Sequence, residues 1–186
     1  MLLVGVTPAI LTWPSTAVPR SFLSMPAGVE EVLESELSRS DGVFFESPGV
    51  AVLRWDPGSG AVFIQWHGWA DSTEFALLLE AGLRALKQYH GSRWLADCRD
   101  MKTIAQADQD WLDRSWFPRM LAAGLQRMAV LMPKNALAKM NVETILGKVP
   151  GTKLEVAYFA TVRAAREWLT RPATNPPIVL DAKAIS

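Results

Sequence analysis

The sequence predicts a mixed α/β domain whose sheet is mostly parallel and begins with an antiparallel β-hairpin. Short apolar runs rich in Val, Phe and Trp, typical of strands, alternate with longer segments whose apolar residues recur at helical spacing. Two of the first runs flank the turn-rich loop DPGSG, residues 56–60, which predicts a hairpin. Because parallel strands are joined by right-handed crossovers, the later strands should lie parallel to the second hairpin strand.

The helix with the clearest sequence signals spans residues 71–90. Its apolar residues recur every three or four positions, and Asp71 precedes Glu74 by three residues, which is a capping-box pattern. The same criteria assign the other elements. The predicted strands are VFFES (43–47), VAVLRW (50–55), AVFIQW (61–66), RWLADC (93–98), RMAVLM (127–132) and KLEVAYF (153–159), and further helices are predicted from Thr103, from Ala136 and from Thr161.

The helix predicted after the fourth strand contains a proline. Thr103 precedes Gln106 by three residues, a second capping-box match. Pro118 has no backbone N–H and cannot continue an α-helix without losing a hydrogen bond. We therefore expect a break or kink near Trp116, and a last turn that closes at Gly124.

Composition excludes several classes of function. The 186 residues include 19 Lys plus Arg and 19 Asp plus Glu, so no net charge recruits nucleic acid or an anionic membrane. One cysteine excludes an internal disulfide and any thiolate metal cluster, and suits the cytoplasm. The two histidines are not at metal-ligand spacing, so we expect neither a metal site nor a cofactor.

The chain is predicted to form one domain, residues 41–170, between two tails, 1–40 and 171–186. Three prolines interrupt the first 24 residues, which resemble neither a signal peptide nor a membrane span. One hypothesis is that Met25 is the natural start. Residues 28–40 are acidic, and their apolar positions predict a short helix in the N-terminal tail.

Five segments together resemble a known family. They are QWHGW, RWLADCRD, DQDWLDRSWFPRML, RMAVLMPK and YFATVRAAREWL. Their order resembles the SpoIIAA-like branch of the STAS family, which is related to anti-sigma-factor antagonists, over residues 43–170. The resemblance implies a compact α/β layer fold and usually a non-enzymatic regulatory or ligand-binding role; related modules in lipid-transfer proteins bind apolar molecules.

The sequence departs from the phosphorylated members of that family at one turn. Those members have a DSSG-like turn whose serine takes the phosphate, whereas the corresponding turn here reads DMKTIAQADQ. Thr103 is the only hydroxyl there. A phosphate on Thr103 would be favoured at a helix N-terminus, but an ordinary N-cap explains this threonine as well, and we prefer the cap.

The carboxyl ends of the parallel strands should meet at one edge, where ligands tend to bind in α/β sheets. This predicts a candidate site containing His67, Asp97 and Arg99. A Cys98–His67 nucleophile pair would need an orienting carboxylate such as Asp97 or Asp100, and the spacing matches no such motif. A small buried hydrophobe is the preferred interpretation of Cys98, and an ion pair that of Asp97 with Arg99.

Aromatic residues supply the other candidates. Trp111 and Trp116 are five residues apart and Phe117 follows, so the three cannot share one narrow stripe of a regular helix. At least one ring should stand outside the core, and we predict that it is Trp116. The candidate ligand- or partner-binding residues are Trp69, Trp111, Trp116, Phe117, Met120, His67, Asp97 and Arg99.

The leading functional hypothesis is a non-enzymatic regulatory module that binds a partner protein through the helix region 105–124. A second hypothesis is a carrier or sensor of a small apolar, lipid-like ligand held between the sheet and the kinked helix. A third is an enzyme of unrecognised type. The sequence predicts no integral membrane segment, and it does not predict the oligomeric state.

Overall fold

A computed structural model describes residues 43–149 and 154–172. The predicted helix over 28–40, the N-terminal tail 1–40 and most of the C-terminal tail 171–186 lie outside these residues. The domain boundaries at 41 and 170 remain predictions.

The described residues form a six-stranded sheet whose spatial order follows the chain. The second strand is antiparallel to both the first and the third, and the third to sixth are parallel, so the predicted mixed sheet with an N-terminal hairpin is confirmed. The strands are β1 (Val43–Ser47), β2 (Ala51–Asp56), β3 (Ala61–Trp66), β4 (Arg93–Asp97), β5 (Arg127–Leu131) and β6 (Glu155–Phe159).

Strand order determines where the helices lie. Right-handed crossovers that always step in the same direction place every connecting helix on the same face of the sheet. The connecting helices α1 to α4 therefore pack on one face, which we call the first face, and α5, which follows β6, packs on the second face. The helices are α1 (Ser72–Gln88), α2 (Gln106–Trp111), α3 (Phe117–Ala122), α4 (Ala136–Gly147) and α5 (Val162–Thr170).

The predicted capping box of α1 is confirmed. The Asp71 carboxylate accepts hydrogen bonds from the backbone N–H groups of Thr73 at 2.8 Å and Glu74 at 2.9 Å, and the Glu74 side chain accepts from the Asp71 N–H. Thr161 caps α5 as predicted, since its hydroxyl accepts from the N–H of Ala164 at 3.2 Å. These local patterns satisfy backbone donors that a helix leaves free at its start.

The predicted cap at Thr103 is wrong. Helix α2 begins at Gln106 after Ala105, with no side-chain cap, and Thr103 is exposed in the preceding loop. Tertiary contacts hold this loop extended: the N–H of Ile104 donates to Oδ1 of Asn141 on α4 at 3.2 Å, and Ile104 is buried. Burial of the loop therefore outweighs a local capping pattern.

The predicted irregularity before Pro118 takes the form of a π-helical turn over Leu112–Trp116. The N–H of Phe117 donates to the carbonyl of Leu112, five residues back, and Pro118 then lies in the first turn of α3, where its missing N–H is tolerated. The Arg119 side chain donates to the Ser115 carbonyl at 3.2 Å. The proline thus changes the hydrogen-bond pattern without ending the helical path.

The centre of the core is a contact between two tryptophans and a glycine. The rings of Trp94 on β4 and Trp116 meet edge to face with centroids 5.3 Å apart. Gly82 of α1 faces Trp94, and a Cβ there would lie 2.7 Å from Cζ3 of that ring and closer still to Cη2. Trp94 can therefore occupy this place only because position 82 has no side chain.

Replacing Gly82 by alanine should lower the free energy of unfolding by at least about 2 kcal/mol, because either the Trp94 ring or α1 must move. Urea unfolding measures the effect. Gly147→Ala is the matched control: it is also a helical glycine, but a Cβ there meets nothing within 4 Å. The control should be neutral or up to about 1 kcal/mol more stable, as alanine favours helix. Equal stability of the two variants would contradict the packing argument.

Candidate functional site at the carboxyl edge of the sheet

The loops that follow β3, β4 and β5 form one surface at the carboxyl edge. The register aligns Gln65 with Asp97 and Asp97 with Leu131, so these strands end at the same level. The loops then bond to each other: the N–H of Lys102 donates to the Gly68 carbonyl at 3.3 Å, and the N–H of Lys134 donates to the Arg99 carbonyl at 3.1 Å. The predicted convergence of strand ends is therefore present.

Asp97 and Arg99 form the ion pair that the sequence favours. Asp97 is only 2% exposed, and its carboxylate accepts from Nε of Arg99 at 2.9 Å and from its NH2 group at 2.7 Å. The hydrogen bonds to Asp97 raise the pKa of Arg99. Both oxygens of Asp97 are thus already occupied, which suits positioning of the loop better than reaction with a substrate.

Cys98 is buried on the first face, and its environment opposes nucleophilic chemistry. Burial, and then the charge of Asp97, raise the pKa of the Cys98 thiol to about 12. An activated cysteine needs the opposite shift. His67 is exposed beyond the end of β3, where its backbone N–H donates to the Val50 carbonyl at 2.8 Å. The described contacts give His67 no hydrogen bond to Cys98.

The prediction that the Trp116 ring is exposed is wrong. Trp116 is 2% exposed, and its indole N–H donates to the Leu79 carbonyl at 3.0 Å. Leu112, Trp116 and Met120 are four residues apart and all point into the core, together with Phe117. One of these rings does lie at the margin of the core, as the spacing predicts, but that ring is Trp111, which is half-buried.

The largest exposed apolar side chains at the carboxyl edge are those of Trp69, Leu137 and Met140, with 61%, 55% and 61% of their areas exposed. Trp69 was predicted as a candidate, whereas Leu137 and Met140 were missed. A signal for both exists, since the buried residues of α4, Ala138, Val142 and Ile145, repeat every three or four positions and leave Leu137 and Met140 off this stripe.

The exposed residues border the same loop. Trp69 follows Gly68, whose carbonyl accepts from Lys102, and Met140 precedes Asn141, whose side chain accepts from Ile104. The loop 98–105 therefore connects the two sides of the surface. We call Trp69, Leu137 and Met140 the edge patch.

A small apolar cavity of about 80 Å³ lies inside the domain, between the first face of the sheet and the segment containing the π-helical turn. The cavity differs from the edge patch in that its walls are buried core side chains. They include Trp66, Phe75, Trp94, Met101, Trp116 and Met128, and Cys98 also lines the cavity.

No group of three or more His, Cys, Asp or Glu side chains within 43–149 and 154–172 could hold a metal ion. No helix in that part of the chain has both the length and the apolar character needed to cross a membrane.

Comparison with known proteins gives one match. A family model described as SpoIIAA-like matches residues 61–170, more than half of the 186-residue chain. No curated protein and no solved structure matches significantly. The resemblance inferred from the five sequence segments is confirmed.

The buried thiol gives a pH-dependent prediction. The pKa of Cys98 is about 12 in the folded chain, against an ordinary value of 9.0, so the thiol stabilises the fold fully below pH 9 and progressively less as the pH rises toward 12. The free energy of unfolding should fall between these limits by up to about 1.4 kcal/mol per pH unit more in the wild type than in Cys98→Ser. Urea unfolding at several pH values measures both slopes, and parallel curves would contradict the burial of a neutral thiol.

Proposed function

Because the chain belongs to the SpoIIAA-like family, we propose that it is a non-enzymatic regulatory module that binds a partner protein at the carboxyl edge of its sheet. Domains of this family are commonly regulatory modules that interact with proteins. The observation that carries the proposal is the edge patch, where three large apolar side chains, Trp69, Leu137 and Met140, are each more than half exposed. Large apolar groups that stay exposed beside polar residues are typical of interaction sites.

The backbone around Trp69 supports this role. The N–H groups of His67 and Gly68 donate to the Val50 carbonyl at 2.8 and 3.3 Å, and the Gly68 carbonyl accepts from Lys102. The Trp69 ring is thus presented by a loop that is already ordered. A partner would gain the burial of a large ring without the cost of ordering its backbone, and aromatic anchors of this kind dominate protein interfaces.

The polar rim of the edge patch favours an acidic partner. Lys102 and Lys134 are exposed in the loops beside the patch, and Lys134 is bonded to the exposed Asp100 at 2.9 Å. A partner with apolar side chains at the centre and carboxylates around them would match this surface. Such charges mainly speed association and select among partners.

Phosphorylation of Thr103 would act on the same surface. Thr103 is exposed in the loop that borders the patch, next to Lys102. Because α2 begins only at Gln106, the favourable charge at a helix N-terminus no longer supports a phosphate there. A phosphate would instead change the sign of the rim, and it would weaken binding of an acidic partner.

The predicted binding surface on residues 105–124 moves to the edge of the sheet for a physical reason. Trp116, Phe117 and Met120 belong to the core, so they are not available to a partner. The outward residues of that segment are small or polar, including Ala107, Asp113 and Arg114. Trp69, from the original set of candidates, remains the proposed anchor.

A photo-crosslinking amino acid at position 69 or 140 should capture the same protein in cells, whereas the same group at Gln126 should not. Gln126 is the control because it is exposed just before β5, at the opposite edge of the sheet. With that protein purified, Trp69→Ala should raise the dissociation constant at least tenfold, which is about 1.4 kcal/mol, and leave unfolding unchanged. Equal affinity of Trp69→Ala and Gln126→Ala would refute the edge patch as the binding surface.

The cavity favours a second candidate function, which is binding of a small apolar ligand. Its walls combine aliphatic side chains with aromatic and sulfur-containing ones such as Trp94, Trp116 and Met128, and it lies beside the π-helical turn. A volume of about 80 Å³ is smaller than the roughly 150 Å³ of a cavity that holds benzene. A lipid-like ligand would therefore require outward movement of the segment from α2 to α3.

Native mass spectrometry of freshly purified protein tests this candidate. A lipid-like adduct that is lost on denaturation should be present if the cavity is a binding site. Met128→Trp should fill the cavity and so reduce the fraction of protein that carries the adduct. Met140→Trp, which lies outside the cavity, is the control and should leave that fraction unchanged. Absence of any adduct after mild extraction would favour the partner-binding function alone.

A further inference from the structure

The second face of the sheet carries a group of charged side chains that the proposed function does not use. They lie on or over β2, β3 and β4, on the part of this face that begins where α5 stops covering it. We call this group the arginine face; it consists of Arg54, Asp56, Asp97, Arg99 and Arg166.

Two of the three arginines are bonded to buried carboxylates. Arg166 of α5 donates to Asp56 through Nε at 2.9 Å and NH2 at 3.0 Å, and Asp56 is 7% exposed. Arg99 donates to Asp97 through the same pair of groups. Each carboxylate therefore has its own bidentate partner, and the charges of these two pairs are matched.

Arg54 is the third arginine, and the described part of the chain gives it no such partner. Its guanidinium carbon lies 4.3 Å from the centroid of the Phe63 ring, and the guanidinium carbon of Arg166 lies 5.8 Å from the same centroid. Within residues 43–149 and 154–172 the Arg54 guanidinium donates no hydrogen bond. Burial, and then the charge of Arg166, lower the pKa of Arg54, so the surroundings stabilise its charge less well than water does. A further carboxylate at this place would offset both effects.

The carboxylate of the neighbouring edge strand does not fill this role. Glu46 of the edge strand β1 lies opposite Val52, two positions along β2 from Arg54, and it is exposed. Glu46 forms no ion pair with Arg54 in the described part of the chain. The arginine face thus has one cation in excess, close to the edge of the sheet.

The sequence that precedes β1 is rich in acidic residues. Val43, the first residue of β1, is the cross-strand neighbour of Arg54, so the sequence before residue 43 is joined to the fold beside this guanidinium. Residues 30–41 contain four glutamates and one aspartate against a single basic residue, Arg39. Glu36 is seven positions from Val43, a distance that an extended chain of roughly 3.3 Å per residue spans easily.

We propose that the acidic segment of residues 30–41 docks on the arginine face of the same molecule, with one of its glutamates bonded to Arg54. Covalent attachment beside the site makes the effective concentration of these carboxylates high. The segment also contains Val32, Leu33 and Leu37, which can cover the half-buried Val52 beside Arg54. The occupant of this face is then part of the chain, and the edge patch remains open for the partner.

Cleavage by trypsin after Arg39, followed by mass spectrometry in the full chain, measures the docking. Rates are divided by the rate for the same site in a synthetic peptide of residues 28–45, which corrects for the effect of each substitution on the protease. Arg54→Glu should speed cleavage at least fivefold, and Arg54→Gln should do so to a smaller degree. Raising the salt from about 0.05 to 0.5 M should remove most of the protection in the wild type, because the attraction is screened.

Two matched controls and one combination make the test specific. Glu46→Gln and Arg114→Glu, an exposed arginine away from this face, should leave the rate unchanged. A variant in which glutamine replaces the four glutamates, Glu30, Glu31, Glu34 and Glu36, should be cleaved faster than the wild type. Adding Arg54→Gln to this variant should not increase the rate further, because both changes remove the same contact. Melting temperatures identify any variant that is unfolded. If Arg54→Glu is unfolded, the comparison is made with Arg54→Gln alone.

Three results would overturn the proposal. Equal rates for Arg54→Gln, Arg54→Glu and wild type would show that Arg54 does not hold the segment. Fully additive effects of the arginine and glutamate changes would show that they act separately. Protection that increases with protein concentration would assign the face to a second copy of the chain instead.

Discussion

The contact of Trp94 with Gly82 and Trp116 is the constraint on which the first face depends. Trp94 lies on a central strand, Gly82 on the helix that precedes this strand, and Trp116 in the segment that follows it. The indole N–H of Trp116 also donates to the Leu79 carbonyl of α1. Three consecutive elements therefore meet at one place, and the spacing between sheet and helices is set there. The small cavity lies beside this contact because large, rigid rings cannot fill all the space between curved layers.

Much of the fold could be predicted because its signals are local or follow from general rules. The capping residues Asp71 and Thr161 act within three positions of themselves, and the loop 56–60 forms its turn from its own residues. Right-handed crossovers then determine the direction of the parallel strands without further information. The structure adds that the strand order is sequential, which no local pattern contains.

The remaining features depend on contacts between distant parts of the chain. Thr103 has the sequence of a cap, but Asn141, on a later helix, holds the loop in another conformation. Trp116 could be assigned to the core only by knowing that Leu79 and Trp94 face it. The pair of Asp56 with Arg166 joins residues 110 positions apart, so no spacing could reveal it. At the carboxyl edge, the sequence predicted where strand ends meet but not which of their side chains are already occupied, as both oxygens of Asp97 are.

The sequential order of the strands also has a consequence for how the chain folds during synthesis. Each strand from β2 to β6 pairs with the strand made just before it, so its partner is already present when it leaves the ribosome. The sheet can thus be extended one strand at a time, because each new strand pairs with the edge of the sheet that has already formed. Neighbouring pairing also keeps the sequence distance between contacting residues short, which is associated with fast folding. The long-range bonds of Arg166 to Asp56 would then form last, when α5 closes over a sheet that is already complete.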